Sequence, residues 1–128
     1  MKGKYYSILA DFLNDTKRER ILFELQSKKK RENALSKITV FSECFNENHI
    51  FCDLSHLQEI EALKKIKQTL GDITCFDLVC DEIAPVSHAY IRAINSYIVD
   101  VLIVDENTII YIGECEFGSS SKYILKTR

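Results

Sequence analysis

The sequence predicts an α+β fold: an antiparallel or mixed sheet of about five strands, with helices, mostly from the N-terminal half, packed on one face. Three observations predict it. Apolar residues recur at helical spacing through the first half, whereas the second half is rich in β-branched runs. The connections between those runs are short and turn-like, which suits hairpins. The 128 residues, 46% of them apolar, suffice for a single core, so residues 1–128 read as one domain.

The elements follow in order. Tyr5, Ile8, Leu9, Phe12 and Leu13 mark a short amphipathic helix over residues 4–14. Thr16 and Glu19 have the form of a capping box, opening a second helix over about 17–32 with Ile21, Leu22 and Leu25 inward. Its basic end, Lys28, Lys29, Lys30 and Arg31, suits the negative end of a helix dipole. Residues 36–42, with Ile38, Thr39 and Val40, read as a strand, and residues 49–53 as a short partner.

Ser55 to Gln58 forms another capping box and starts the clearest helix, 57–70. Leu57, Ile60, Leu63, Ile66 and Leu70 share its stripe, and Gly71 closes it. Leu63 and Ile66 are expected in the core. Residues 73–80 alternate as one strand. Residues 86–96, after Pro85, read ambiguously as a short helix. Residues 97–104 and 108–115 are strongly β and joined at Asp105-Glu106-Asn107, which predicts a hairpin. Residues 118–121 read as a loop and 123–125 as a last, short edge strand.

No secretory leader or membrane-spanning run is expected, since Ser7 and Asp11 interrupt the first apolar stretch and Asp100 the longest. A cytoplasmic location is expected. Five scattered cysteines lack the spacing of a secreted disulfide scaffold and read as reduced core thiols.

Net charge is −2, but its distribution is uneven. Residues 1–71 hold thirteen bases against ten acids. Residues 72–118 hold nine acids against one base, Arg92, a balance of −8. By period two, Asp77 and Asp81 share one strand face and Glu114 and Glu116 another. Asp77, Asp81, Asp100, Glu114 and Glu116 thus predict an acidic sheet surface, with Tyr97, Tyr111 or Phe117 as aromatic anchors. Such a surface repels nucleic acid and speeds encounter with a basic protein. Charges on an exposed sheet face are ordinarily just solvated, so the pattern alone is weak.

Catalytic signals are weaker still. Cys44, His49, Cys52 and His56 are zinc-type ligands, but their C-x4-H-x2-C-x3-H spacing matches no familiar finger or knuckle. A Cys–His nucleophile would pair Cys52 or Cys115 with His49, His56 or His88, and acids beside Cys115 would weaken its thiol. The acidic set lacks the lysine or histidine that would strengthen a Mg²⁺ reading. Gly113, Gly118 and Ser119 to Ser121 lack the Gly-Lys-Ser/Thr of a phosphate loop. The basic run 28–31 ordinarily marks a solvated helix end and not an RNA contact. No catalytic residue, metal or other cofactor is expected.

In size, Lys/Ile/Asn-rich composition and the acidic stretch 72–116, the chain resembles small bacterial immunity proteins of contact-dependent or polymorphic toxin systems. The resemblance implies an α/β-type domain without catalytic motifs that presents an acidic surface to a basic nuclease toxin. It carries over no individual residue. The expected function is therefore non-catalytic binding and neutralisation of a basic protein partner, with no nucleic-acid or membrane partner. The alternative is a small metal- or thiol-dependent enzyme. The irregular spacing of Cys44, His49, Cys52 and His56 generates a first prediction: protein purified without chelator carries no stoichiometric zinc by elemental analysis, and a stoichiometric content would overturn it.

Overall fold

The apolar runs 101–104 and 109–112 form the centre of a six-stranded antiparallel sheet. The computed structural model describes residues 3–116 and 119–128. The strands are β1 (Ile50–Asp53), β2 (Thr74–Asp77), β3 (Glu82–Pro85), β4 (Asp100–Asp105), β5 (Thr108–Glu116) and β6 (Ser119–Lys126). Their order is β1-β6-β5-β4-β2-β3. The β4–β5 hairpin turns where Asp105 Oδ1 accepts from the Asn107 amide at 2.8 Å, a local bond that aspartate favours in turns. In the second half of the chain, the strand expectations at 73–80 and 123–125 need correction. Residues 73–80 are not one strand: β2 ends at Asp77, the chain turns with Asp81 at φ 59°, and β3 returns beside β2. The expected edge strand 123–125 is part of β6, an interior strand between β5 and β1.

Alternation sends neighbouring side chains to opposite faces, and both faces are apolar. Val101, Ile103, Ile109, Tyr111 and Leu125 enter one core, whereas Leu102, Ile110, Ile112 and Ile124 enter another. Helices therefore cover both faces, not one as expected. The first core is closed by α1 (Gly3–Ala10), α2 (Asp15–Leu25), α3 (Arg31–Lys37) and α4 (Phe41–Cys44). The second is closed by α5 (Glu59–Leu70) and α6 (Val86–Ser96).

The N-terminal layer departs most from the sequence reading. Instead of one helix over 17–32 and a strand over 36–42, α2 stops at Leu25, and residues 36–42 hold the end of α3, a turn and the start of α4. Neither expected capping box forms: Asn14 and Gln58, which make no side-chain capping bond, precede α2 and α5. Tertiary bonds explain the break. Arg31 folds back to donate to Leu25 O at 3.2 Å, to Tyr6 Oη at 3.1 Å and to Leu78 O in the turn after β2. The bond to Leu25 O satisfies a carbonyl left open at the end of α2. Tyr111 Oη reaches out of β5 to Ile38 O at 2.8 Å, holding the 36–42 segment out of the sheet. The true partner of β1 is β6.

On the second face Gly71, at φ 82°, caps α5 as expected. Ile66 is fully buried, Leu63 packs at the margin of the core, and Ile60 is 73% exposed, so the expected stripe is rotated. Lys122 is fully buried in β6: its Nζ donates to Leu57 O and Glu59 Oε1, both at 3.0 Å, and Tyr90 Oη donates to Glu59 Oε2 at 3.0 Å. This network ties β6, α5 and α6 together. Ile66→Ala is expected to cost about 2–5 kcal/mol in urea titration, and Ile60→Ala under about 0.5 kcal/mol. Equal losses would place the helix face wrongly.

Candidate functional site

With both sheet faces covered, open surface with chemical character lies at the seams. At one end of the sheet, the α3–α4 segment stands away from the strands because Tyr111 holds it by its carbonyls. Two cavities of about 280 and 380 Å³ open there and share Thr39 and Glu114 in their walls. Glu32 and Tyr97 line the first, and Glu47 lines the second. Glu32, Glu47 and Glu114 are all exposed, and no lysine, arginine or histidine lines either cavity. The result is a groove with three carboxylates at its rim and an aromatic floor where Phe41 packs against Tyr111 and Tyr123. Gly113 lets β6 close against the groove, since a Cβ there would meet Ser121 O at 2.9 Å.

Tyr97 is the exposed aromatic of this groove, at 69%. It ends α6 in the left-handed conformation, φ 55° and ψ 37°, where glycine is usual and a tyrosine is uncommon. Such an outlier, carrying a large exposed ring, is the kind of feature that collects at functional positions.

The structure divides the sequence-predicted site residues. Tyr97 and Glu114 come together in the groove. Tyr111 does not reach solvent as an anchor: it is 1% exposed, and burial pushes its phenol up. Asp77 and Asp100 are both 0% exposed and so form no part of an acidic surface. Asp81 sits in the β2–β3 turn by a separate cavity near Arg31. Phe117 and the side chain of Glu116 lie outside the described residues. Sequence reasoning missed Glu32 and Glu47, which come from the half of the chain with a basic balance; nothing in their local pattern sets them apart.

Asp77 and Asp100 instead build a buried acid pair. Asp77 Oδ2 accepts from Arg92 at 2.8 Å and Oδ1 from the Cys80 amide at 3.1 Å. Asp100 Oδ1 accepts from the amides of Val101 at 2.8 Å and Val79 at 3.1 Å. Among the described residues Asp100 Oδ2 has no hydrogen-bond partner, and the carboxyl of Asp77 is its acidic neighbour. Burial first, then the neighbouring Asp77, pushes Asp100 up to about 9. Burial would raise Asp77 as well, but the hydrogen bond from Asp100 and the Arg92 guanidinium outweigh it and hold Asp77 below the usual range. A proton held by Asp100 toward Asp77 would satisfy its open oxygen, and the two carboxyls then titrate as a unit.

Among the described residues the zinc-type set does not assemble, and the side chain of Cys115 lies outside them. Cys44 is buried and its Sγ donates to Lys37 O at 3.0 Å, while His49 packs edge-on against Phe12. Among the described residues, no three His, Cys, Asp or Glu side chains are grouped to hold a metal ion. Burial raises the thiols of Cys44 and Cys80 and pushes Cys75 up to about 12, which disfavours thiolate chemistry. No helix among the described residues is long and apolar enough to cross a membrane. No protein-family model, curated protein or solved structure matches the chain.

The acid pair makes stability depend on pH in a defined direction. Asp100 has a raised folded pKa, so its contribution is full below about pH 4 and is lost as pH climbs through about 9. Asp77 acts oppositely, losing its contribution as pH falls through its lowered value. Asp100→Asn keeps a donor toward Asp77 and an acceptor for both amides. It is expected to match or exceed the wild type at pH 8 and to remove a slope of up to about 1.4 kcal/mol per pH unit. Asp77→Asn leaves Arg92 without its buried partner and is expected to cost ~2 kcal/mol at neutral pH, reduced from a fully buried pair because Arg92 is 37% exposed. Urea titrations of the three proteins between pH 5 and 9 provide the check; identical pH profiles would rule out the shared proton.

Proposed function

We propose that the chain is a non-catalytic binding protein that engages a basic protein partner through the groove of Glu32, Glu47, Glu114 and Tyr97. A nuclease toxin domain neutralised by an immunity protein is the partner class that suits this reading. Its support is the groove itself: three exposed carboxylates, no cation in the walls and an exposed tyrosine at one end. The charges would accelerate encounter with a cationic surface. Tyr97 would then supply the apolar contact that slows dissociation, since aromatic anchors carry much of the energy in protein interfaces. If the partner is a nuclease, the carboxylates stand where its active site ordinarily meets phosphates.

The reading differs from the sequence expectation in one physical respect. The acids come from α3, the Glu47–His49 turn and β5, and not from a single sheet face. A ring of charges on three elements, packed on a common core, is held in place and loses little freedom on binding.

Two substitutions separate the roles. Glu32→Lys with Glu114→Lys is expected to lower the association rate about tenfold at low salt and to flatten its salt dependence. Tyr97→Gly is expected to raise the dissociation rate while leaving stability unchanged or up to about 1 kcal/mol higher, because glycine relieves the left-handed backbone. The measurements are association kinetics at two salt concentrations, on the partner captured from the source cell and identified by mass spectrometry, with urea titration in parallel. An unaltered association rate, or a partner that proves to be RNA or DNA, would overturn the proposal.

A further inference from the structure

The second helical layer leaves an apolar groove on the face opposite α1–α4. It runs between α5 and α6, has a volume of about 270 Å³ and is walled by Ile60 and Leu63 on one side and Ile91 and Ile94 on the other. Ile60 is 73% and Ile91 46% exposed, so four branched aliphatic side chains form one seam and are not scattered singly. Its polar floor is already satisfied: Glu59 is held by Lys122 at 3.0 Å and by Tyr90 at 3.0 Å. The floor therefore offers no vacant charge, and its Glu59 carboxylate is neutralised by a buried lysine.

Charge at the rim decides what fits. Successive residues on a helix turn by about 100°, so Lys64 and Lys67 follow Ile60 and Leu63 at i+4 along the groove side of α5. Both lysines are exposed, and among the described residues neither has an ion-pair partner. On the α6 side the polar residue of the lining is the uncharged Asn95. The groove is thus an apolar slot with a basic lip. A second copy of this chain, paired face to face, would bring two such lips together, which like-charge repulsion opposes.

We propose that this groove docks an amphipathic helix with an acidic flank, supplied by a protein partner, at a site separate from the Glu32–Glu114 groove. The helix form follows from the walls. Two helices of twelve and eleven residues present a channel about three turns long. A third helix fills such a channel by seating its i and i+4 side chains between theirs. Acidic residues beside that apolar stripe lie within reach of Lys64 and Lys67.

The probe is a pair of helical peptides of about 15 residues with the same apolar stripe, one flanked by glutamates and one by lysines. Fluorescence anisotropy against the full chain is expected to show the acidic peptide binding about tenfold or more tightly than the basic one, and more weakly as salt rises. Lys64→Glu with Lys67→Glu is expected to invert that order. Ile60→Asp with Ile91→Asp is expected to abolish binding of both peptides with little change in the melting temperature, since both positions are largely exposed. Absence of acidic-peptide binding, or an unchanged order in the lysine variant, would overturn the proposal. So would sedimentation of the free chain as a dimer that the isoleucine variant converts to a monomer, because the groove would then belong to a second copy.

Discussion

The constraint on which the structure depends is a sheet whose central strands are apolar on both faces. Val101 and Ile103 in β4 point one way and Leu102 the other; Ile109 and Tyr111 in β5 oppose Ile110 and Ile112. Strands of this kind cannot leave a face in water, because each buried aliphatic side chain is worth about 1.5–3 kcal/mol against exposure. Two helical layers are therefore obligatory, and the chain supplies them from separate stretches. Four short helices precede the sheet on one side, and α5 and α6 are threaded between strands on the other.

This constraint also decides where charge can sit. The acidic stretch would be a surface feature on an open sheet, but on a sandwiched sheet some of its acids are drawn inside. Asp77 and Asp100 meet at the junction of β2 and β4, where Arg92 and backbone amides replace much of the water they lose. Lys122 with Glu59 joins β6 to α5, and Glu24 with Lys37 at 2.7 Å joins α2 to α3. The pairs of Lys122 and Arg92 connect the sheet to its second helical layer, and that of Glu24 binds two helices of the first. They help explain why helices as short as α3 and α4 hold position, since propensity alone does not stabilise helices of four to seven residues.

What remains for recognition is the pair of seams. One lies where the α3–α4 segment stands off the end of the sheet and is acidic and aromatic. The other lies between α5 and α6 and is apolar with a basic lip. On the proposed reading, their opposite character would give the two seams different binding preferences.

The sequence by itself determined the α+β class, the β4–β5 hairpin, the helix closed by Gly71 and the uneven charge. Each is encoded by neighbours: periodicity, a turn aspartate, a glycine at positive φ, or plain counting. It also held an unread signal, because runs such as 109–112 lack the polar alternation of a half-exposed strand and so imply cover on both faces. Only the tertiary structure decided the rest. Residues 36–42 have β propensity, yet Tyr111 holds them as helix and turn from more than seventy residues away. Arg31 ends one helix and begins another through bonds to α1 and β2's turn. Asp77 and Asp100 read as surface acids because period two assigns a face but cannot say whether a helix covers it. Glu32 and Glu47 join Glu114 through packing, which no local pattern of residues records.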